Sequence, residues 1–166
     1  KKKNLKAADY NKDGVVDLRN EMTFAHAYYA ASFDKGGKTN YSSTIMKAFI
    51  EGRELIESAN GAKFTDSQNS KLKAYADKIA LNWEKVIAEA VFKYAGSVYL
   101  DMAKLQKAID NGSSTDKAYS AYLKHWGELK GFALSLQTGK RNLGETAVRL
   151  NRLIGFSPLL LNSSQV

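Results

Sequence analysis

Lys71-Leu-Lys-Ala-Tyr-Ala-Asp-Lys-Ile-Ala-Leu-Asn-Trp-Glu-Lys-Val-Ile-Ala-Glu-Ala-Val-Phe-Lys-Tyr94 is the stretch that decides the fold. Tyr75, Ile79, Trp83, Val86, Ala90 and Tyr94 recur at three- and four-residue steps, which is the stripe of an amphipathic helix. The stripe continues through Val98, Met102 and Leu105. The whole pattern opens at Thr65 or Asp66 and runs to about Asp110. At 1.5 Å per residue one helix of that span would be roughly 67 Å long. That exceeds the diameter of a compact domain of this size, so the sequence predicts a bend or break near Gly96-Ser97, or a helix that protrudes.

The flanking segments read the same way. Leu18, Met22, Ala25, Tyr29 and Phe33 form one stripe, stopped by the turn around Gly36-Gly37. Asn40 or Ser42 can cap a second helix, whose apolar side is Ile45, Met46, Phe49, Ile50 and Leu55, and Asn60-Gly61 ends it. After the long pattern, Asn111-Gly112-Ser113-Ser114 is a loop, and Ser113 can cap a helix carrying Ala118, Tyr122, Leu129, Phe132, Ala133 and Leu136. Thr138-Gly139-Lys140 breaks it, and a last helix runs from about Leu143 to Leu153, ended by Gly155. Pro158 then lies in an extended tail with Leu159 to Leu161. No strand-like alternation of any length interrupts these patterns. The expected class is all-α, a helical bundle of about five helices with an N-terminal calcium-type loop and an extended C-terminal tail. Residues 1–17 form a basic lead-in and the loop, and residues 18–166 form the bundle domain, as part of a larger chain.

Composition narrows the function classes. The 166 residues suffice for one buried core. The chain has no cysteine, which excludes disulfides, a thiolate zinc site and a thiol nucleophile. No stretch approaches 18 apolar residues, so no transmembrane segment is expected. Lys and Arg number 25 against 17 Asp and Glu, a formal net charge of +8. The cations are scattered among acids at helical-surface spacing, densest at Lys1–Lys3 and from Lys130 to Arg152. That distribution reads as a solvated basic face, and a nucleic-acid partner is not expected.

The sharpest chemical signal is Asp9-Tyr-Asn-Lys-Asp-Gly-Val-Val-Asp17. Asp9, Asn11, Asp13 and Gly14 match positions 1, 3, 5 and 6 of a calcium loop. Val15 would offer its carbonyl at position 7, Val16 is the apolar position 8, and Asp17 is position 9. A hard cation takes six to eight oxygens at about 2.3–2.6 Å, and alternate side chains of a tight turn converge on one point. Gly14 permits the sharp turn. Position 12 is Asn20 where an EF-hand carries a bidentate Glu; Glu21, one residue on, is the candidate last ligand. The reading is an isolated structural calcium loop, with an Asx-turn-rich loop that binds nothing as the alternative.

His125-Trp-Gly-Glu128 places a His and a Glu on neighbouring positions of one helix face, with His125 near the apolar stripe and Glu128 at its edge. A buried polar pair is the plainer reading. The alternative is a transition-metal site in which His26, Glu84 or Glu89 could join. Trp83, Trp126, Tyr94 and Tyr122 could line a pocket between helices, although core packing accounts for them too. No hydrolase or phosphate-loop constellation is present, and no catalytic residue is assigned; an enzyme is not expected.

Three segments carry a family likeness: Asp9 to Asp17, Ala48-Phe-Ile-Glu-Gly-Arg53, and His125-Trp-Gly-Glu-Leu-Lys-Gly-Phe-Ala-Leu-Ser-Leu-Gln137. With the ending Leu153-Ile-Gly-Phe-Ser-Pro-Leu-Leu160, the chain resembles the C-terminal half of a bacterial cell-envelope domain-of-unknown-function family. That family is distantly similar to the imelysin-like proteins, extracytoplasmic helical bundles linked to iron uptake. Their His-x-x-Glu pair has the spacing of His125 and Glu128. The resemblance implies a missing N-terminal half and export, as a periplasmic or outer-membrane-associated protein or lipoprotein. It also implies an unknown ligand or envelope partner, with iron at His125 and Glu128 as the alternative role.

Overall fold

The computed structural model describes residues 13–15, 25–137 and 143–158. Among them are five helices and no strand: α1 (Ala25–Asp34), α2 (Tyr41–Ser58), α3 (Asp66–Asp110), α4 (Asp116–Ser135) and α5 (Glu145–Ile154). The chain is an all-α bundle. Leu18 and Met22, residues 138–142 and the tail from Leu159 lie outside the described residues.

α3 is the spine, and its ends are set by its sequence. Thr65 and Gln68 form a reciprocal capping box, Gln68 N donating to Thr65 Oγ1 at 3.2 Å and Thr65 N donating to Gln68 Oε1 at 2.9 Å. At the other end Gly112 turns with φ +61; its N–H reaches the Ile109 carbonyl while Ser113 N–H reaches Ala108. Those two bonds satisfy carbonyls the last helical turn would leave open. Between the caps the helix runs for 45 residues, about 67 Å, with no break at Gly96-Ser97, so of the two expected outcomes the single long helix is the one found. Gly96 costs the helix backbone entropy, yet it keeps the amide that continues the hydrogen-bond ladder, and only a proline would remove that amide. The chain's one proline is Pro158, so nothing in α3 forces a kink.

α2 lies antiparallel along the first half of α3. Tyr41 Oη donates to Glu89 Oε1 at 3.2 Å, Phe49 meets Trp83 with ring centroids 5.9 Å apart, and a Cβ on Gly52 would sit 3.7 Å from the Tyr75 ring. The face that packs is Ile45, Ala48 and Gly52. This corrects the sequence expectation: of the five large apolar residues assigned to that side, Ile45 is buried and Leu55 half-buried, whereas Met46, Phe49 and Ile50 are exposed. The contact line holds the small Ala48 and Gly52, the latter against the Tyr75 ring, while Met46 and Ile50 are turned outward and Phe49 reaches Trp83 from the exposed edge. Nor do Asn40 or Ser42 side chains cap α2. Asp34, the last residue of α1, takes that role: its carboxylate accepts from Tyr41 N at 2.8 Å and Ser42 N at 2.7 Å. Likewise Thr115 precedes α4 in place of Ser113, and makes no side-chain cap bond.

α4 returns antiparallel along α3, from Asp101 opposite His125 to Ala80 and Ile87 near Leu136. α1 fills the junction, with Tyr29 against both Tyr94 and Phe132. The core gathers there: Tyr29, Ala30, Ile45, Ala48, Ile79, Val86, Ile87, Ala90, Val91 and Tyr94 meet Leu129, Ala133 and Leu136. α5 packs on α4, where the buried Asn151 donates to the Ala133 carbonyl at 3.0 Å.

Candidate functional site

The α3 stripe changes character after Tyr94. Three residues past Val98 and four before Leu105, the position facing α4 is an acid, Asp101, which is only 4% exposed. Its carboxylate takes a hydrogen bond from His125 Nδ1 at 2.5 Å and one from Lys104 Nζ at 3.3 Å. Burial alone would raise the Asp101 carboxyl, but the hydrogen bonds and charges of His125 and Lys104 outweigh it and hold the group below its ordinary value. Asp101 is therefore ionised at neutral pH. With an ionised partner at Nδ1 that nitrogen carries a proton, and Nε2 is the ring nitrogen turned to other partners. The His125 side chain is 26% exposed, so the ring as a whole is not sealed in the core.

One turn further along α4, Glu128 faces Tyr94. The Tyr94 hydroxyl is 2.6 Å from the Tyr29 hydroxyl, and its ring stacks on Phe132 at 5.6 Å and lies 5.8 Å from the His125 ring. Burial pushes the Tyr94 phenol up strongly, helped by its bond to Tyr29 and by the Glu128 carboxylate. It stays a neutral phenol at any biological pH. Lys93 caps the pair of tyrosines from outside, 5.6 Å from each ring centroid. One helix junction thus holds a buried carboxylate, an oriented imidazole, two coupled phenols and a second carboxylate.

The expectation that His125 and Glu128 share one helix face holds. What the sequence reading missed is that each has its partner on α3: Asp101 for His125 and Tyr94 for Glu128. The apolar stripe gave no sign of it, because Val98, Met102 and Leu105 continue the period unbroken and Asp101 sits beside Met102. His26 is elsewhere. Its ring lies 5.6 Å from Trp83, in a cavity of about 260 Å³ lined also by Ala80, Glu84, Ile87, Ser135 and Leu136. Burial lowers its imidazole pKa. Trp83 and Asp101 are 18 residues apart on one helix, about 27 Å, so the two histidines do not share a site. Glu84 lines the His26 cavity and Glu89 bonds to Tyr41, so neither joins His125. Among the described residues no three His, Cys, Asp or Glu side chains converge as metal ligands.

The aromatic residues do not form one pocket either. Trp83 belongs to the His26 cavity, Trp126 Nε1 donates to the Ile154 carbonyl at 3.2 Å, and Tyr122 is 2% exposed. Of the calcium-type loop, Asp13, Gly14 and Val15 are described, while Asp9, Asn11, Asp17 and Glu21 lie outside the described residues. Gly14 has φ +86, and Asp13 Oδ1 accepts from Val15 N at 2.9 Å.

Comparison with known protein families, characterised proteins and solved structures finds no match to this chain. Among the described residues no helix is long and apolar enough to cross a membrane.

Proposed function

We propose that this is a non-enzymatic helical-bundle protein of the bacterial cell envelope, binding a ligand or envelope partner, with a calcium ion clamping the segment that leads into α1. The observation that carries the calcium reading is the turn at Asp13–Val15. Gly14 at positive φ supplies the sharp turn of position 6, and the Asp13–Val15 bond is an Asx-turn that a calcium loop shares with the alternative loop that binds nothing. Asp9, Asn11, Asp13, the Val15 carbonyl, Asp17 and Glu21 would supply the oxygens. A periplasmic or outer-membrane-associated setting rests on the family resemblance and suits a loop of modest affinity, because calcium is abundant outside the cytoplasm. A calorimetric calcium titration of chelator-stripped protein tests it. Stoichiometric binding that disappears in Asp13→Ala is the expected result, and no binding by the parent protein ends the calcium reading.

A second reading is favoured by the Asp101–His125 pair: an imelysin-like module holding iron or another transition metal. Metal-ligating histidines commonly donate their second nitrogen to a carboxylate, which orients the ring and raises its basicity. His125 fits that pattern with Nε2 as the ligand atom, and Glu128 is the nearby oxygen donor. With two such side chains, the remaining positions would fall to water or to a partner's groups. Metal retained through purification and lost in His125→Ala supports this reading; metal content unchanged in that variant refutes it.

A further inference from the structure

α5 separates its chemistry by face. Ala147 and Asn151 are buried and Leu150 and Ile154 half-buried against α4, while Arg149, Arg152 and Leu153 point outward. Gly155 then ends the helix at φ +84, and Phe156 is set out into solvent. Leu153 is 77% exposed and Phe156 92%. This exposure is not that of a loosely held end. Trp126 donates to the Ile154 carbonyl, and Lys130 Nζ donates to the Asn151 carbonyl at 3.1 Å while lying 5.3 Å from the Phe156 ring centroid. α4 thus fixes the last turn of α5 at the Asn151 and Ile154 carbonyls, just before Phe156. The charge here has one sign: Arg149, Arg152 and Lys130. The helix's own acid, Glu145, is in the first turn, eight positions before Leu153 and about 12 Å along the axis.

The geometry points to an anionic phospholipid surface as the partner of this face. Leu153 and Phe156 enter the boundary between headgroups and acyl chains, Arg149 and Arg152 meet the phosphates around them, and Lys130, held on the Asn151 carbonyl, adds its positive charge behind them. Interfacial helices bind by this sum of apolar burial and attraction to anionic lipid. A duplex nucleic acid would use the arginines but would leave the two exposed apolar side chains without a role. The formal charge of +8 adds attraction at longer range. This inference is independent of the calcium and metal readings.

Co-sedimentation of the full chain with vesicles decides it. Vesicles of phosphatidylcholine containing phosphatidylglycerol are compared with phosphatidylcholine alone. The chain should partition onto the anionic vesicles, and less so as salt rises. Arg149→Gln and Arg152→Gln should each weaken partitioning roughly fivefold, the effect of one basic residue near such a surface. Leu153→Ser with Phe156→Ser should weaken it while leaving the far-ultraviolet circular dichroism unchanged, because both side chains are exposed. Equal partitioning onto both vesicle types, no partitioning, or indifference to these substitutions overturns the proposal. Retention by duplex DNA with no partitioning onto vesicles assigns the face to nucleic acid and overturns it as well.

Discussion

The two halves of α3 continue one stripe and solve different problems with it. From Ile79 to Val91 the helix presents Ile79, Val86, Ile87, Ala90 and Val91 to α1, α2 and α4, and the contact is apolar. From Tyr94 to Leu105 α4 follows the helix, α1 reaches it at Tyr94 through Tyr29, and the buried positions carry Tyr94 and Asp101 before returning to an apolar residue at Leu105. The dry half is held by burial against two or more helices, with the part-buried Tyr41–Glu89 bond beside the apolar contact. In the polar half a single helix pair is locked by matched groups, which specify one alignment where apolar side chains tolerate several. The cost of that choice is sensitivity: a polar group deprived of its partner is worse than an apolar contact made smaller.

Asp101→Ala is therefore expected to have the largest effect. It removes a buried charge and leaves His125 without its acceptor, and losing one member of such a pair costs about 3–5 kcal/mol. Urea unfolding of the parent and variant measures this. The comparison sharpens with the double variant Asp101→Leu, His125→Leu, which should recover most of the loss, since replacing both members by apolar groups of similar size is often neutral. If the double variant is as unstable as the single one, the pair is not the unit that locks α4 to α3.

The dry half should fail in the ordinary way. Ile87→Ala, at a position 3% exposed, is expected to cost about 2–4 kcal/mol through lost burial and a cavity. Unlike the Asp101 variants, its deficit should not vary across the acid range. Asp101 is held below the ordinary carboxylate value of 3.8, so its contribution is full above that pH and fades as pH falls through the lower folded-state value. The stability gap between the parent and Asp101→Asn should thus narrow on acidification, while the gap between the parent and Ile87→Ala stays constant. Parallel gaps for both variants would mean that Asp101 is not a charged partner of His125.

Asp34→Ala comes next. Desolvation would raise the Asp34 carboxyl, but bonds from Thr39, Ser42 and Tyr41 prevail and lower it. Loss of a helix cap of this kind costs about 0.5–2 kcal/mol, and this one also joins α1 to α2. Hydrogen exchange should show the first turn of α2 opening more readily in the variant. Unchanged protection at Tyr41 and Ser42 would leave the carboxylate without a capping role.

The contrast also explains which parts of the structure could be read in advance. Thr65, the α3 stripe and the Asn111-Gly112 stop were legible because caps and periodicity are local, and the same holds for Gly155 after α5. The pairing of His125 with Asp101 was not, because it joins residues on different helices and depends on how far α4 slides along α3. Nothing in the stripe singled out Asp101, because Met102 beside it keeps the apolar period, whereas the structure buries Asp101 and leaves Met102 half-buried. The packing face of α2 was misread for a related reason. Hydrophobicity favours Met46, Phe49 and Ile50, whereas the buried line is Ile45, Ala48 and Gly52, where the Tyr75 ring sits against Gly52. The capping of α2 by Asp34 likewise crosses a turn, beyond what a search for Asn40 or Ser42 can find.

The smallest expected effect tests whether the unbroken course of α3 matters to the polar half. Gly96 lies two residues past Tyr94, and a Cβ built there meets nothing within 4 Å. Gly96→Ala should therefore add stability of about 0.5–1 kcal/mol, through helix propensity and a more restricted unfolded chain. If a straight spine is what aligns Asp101 with His125, stiffening it should also slow amide exchange in α4 around His125, and not only in α3. A gain in stability confined to α3 would mean that Asp101 and His125 find each other through the α3–α4 turn, whichever way the spine bends.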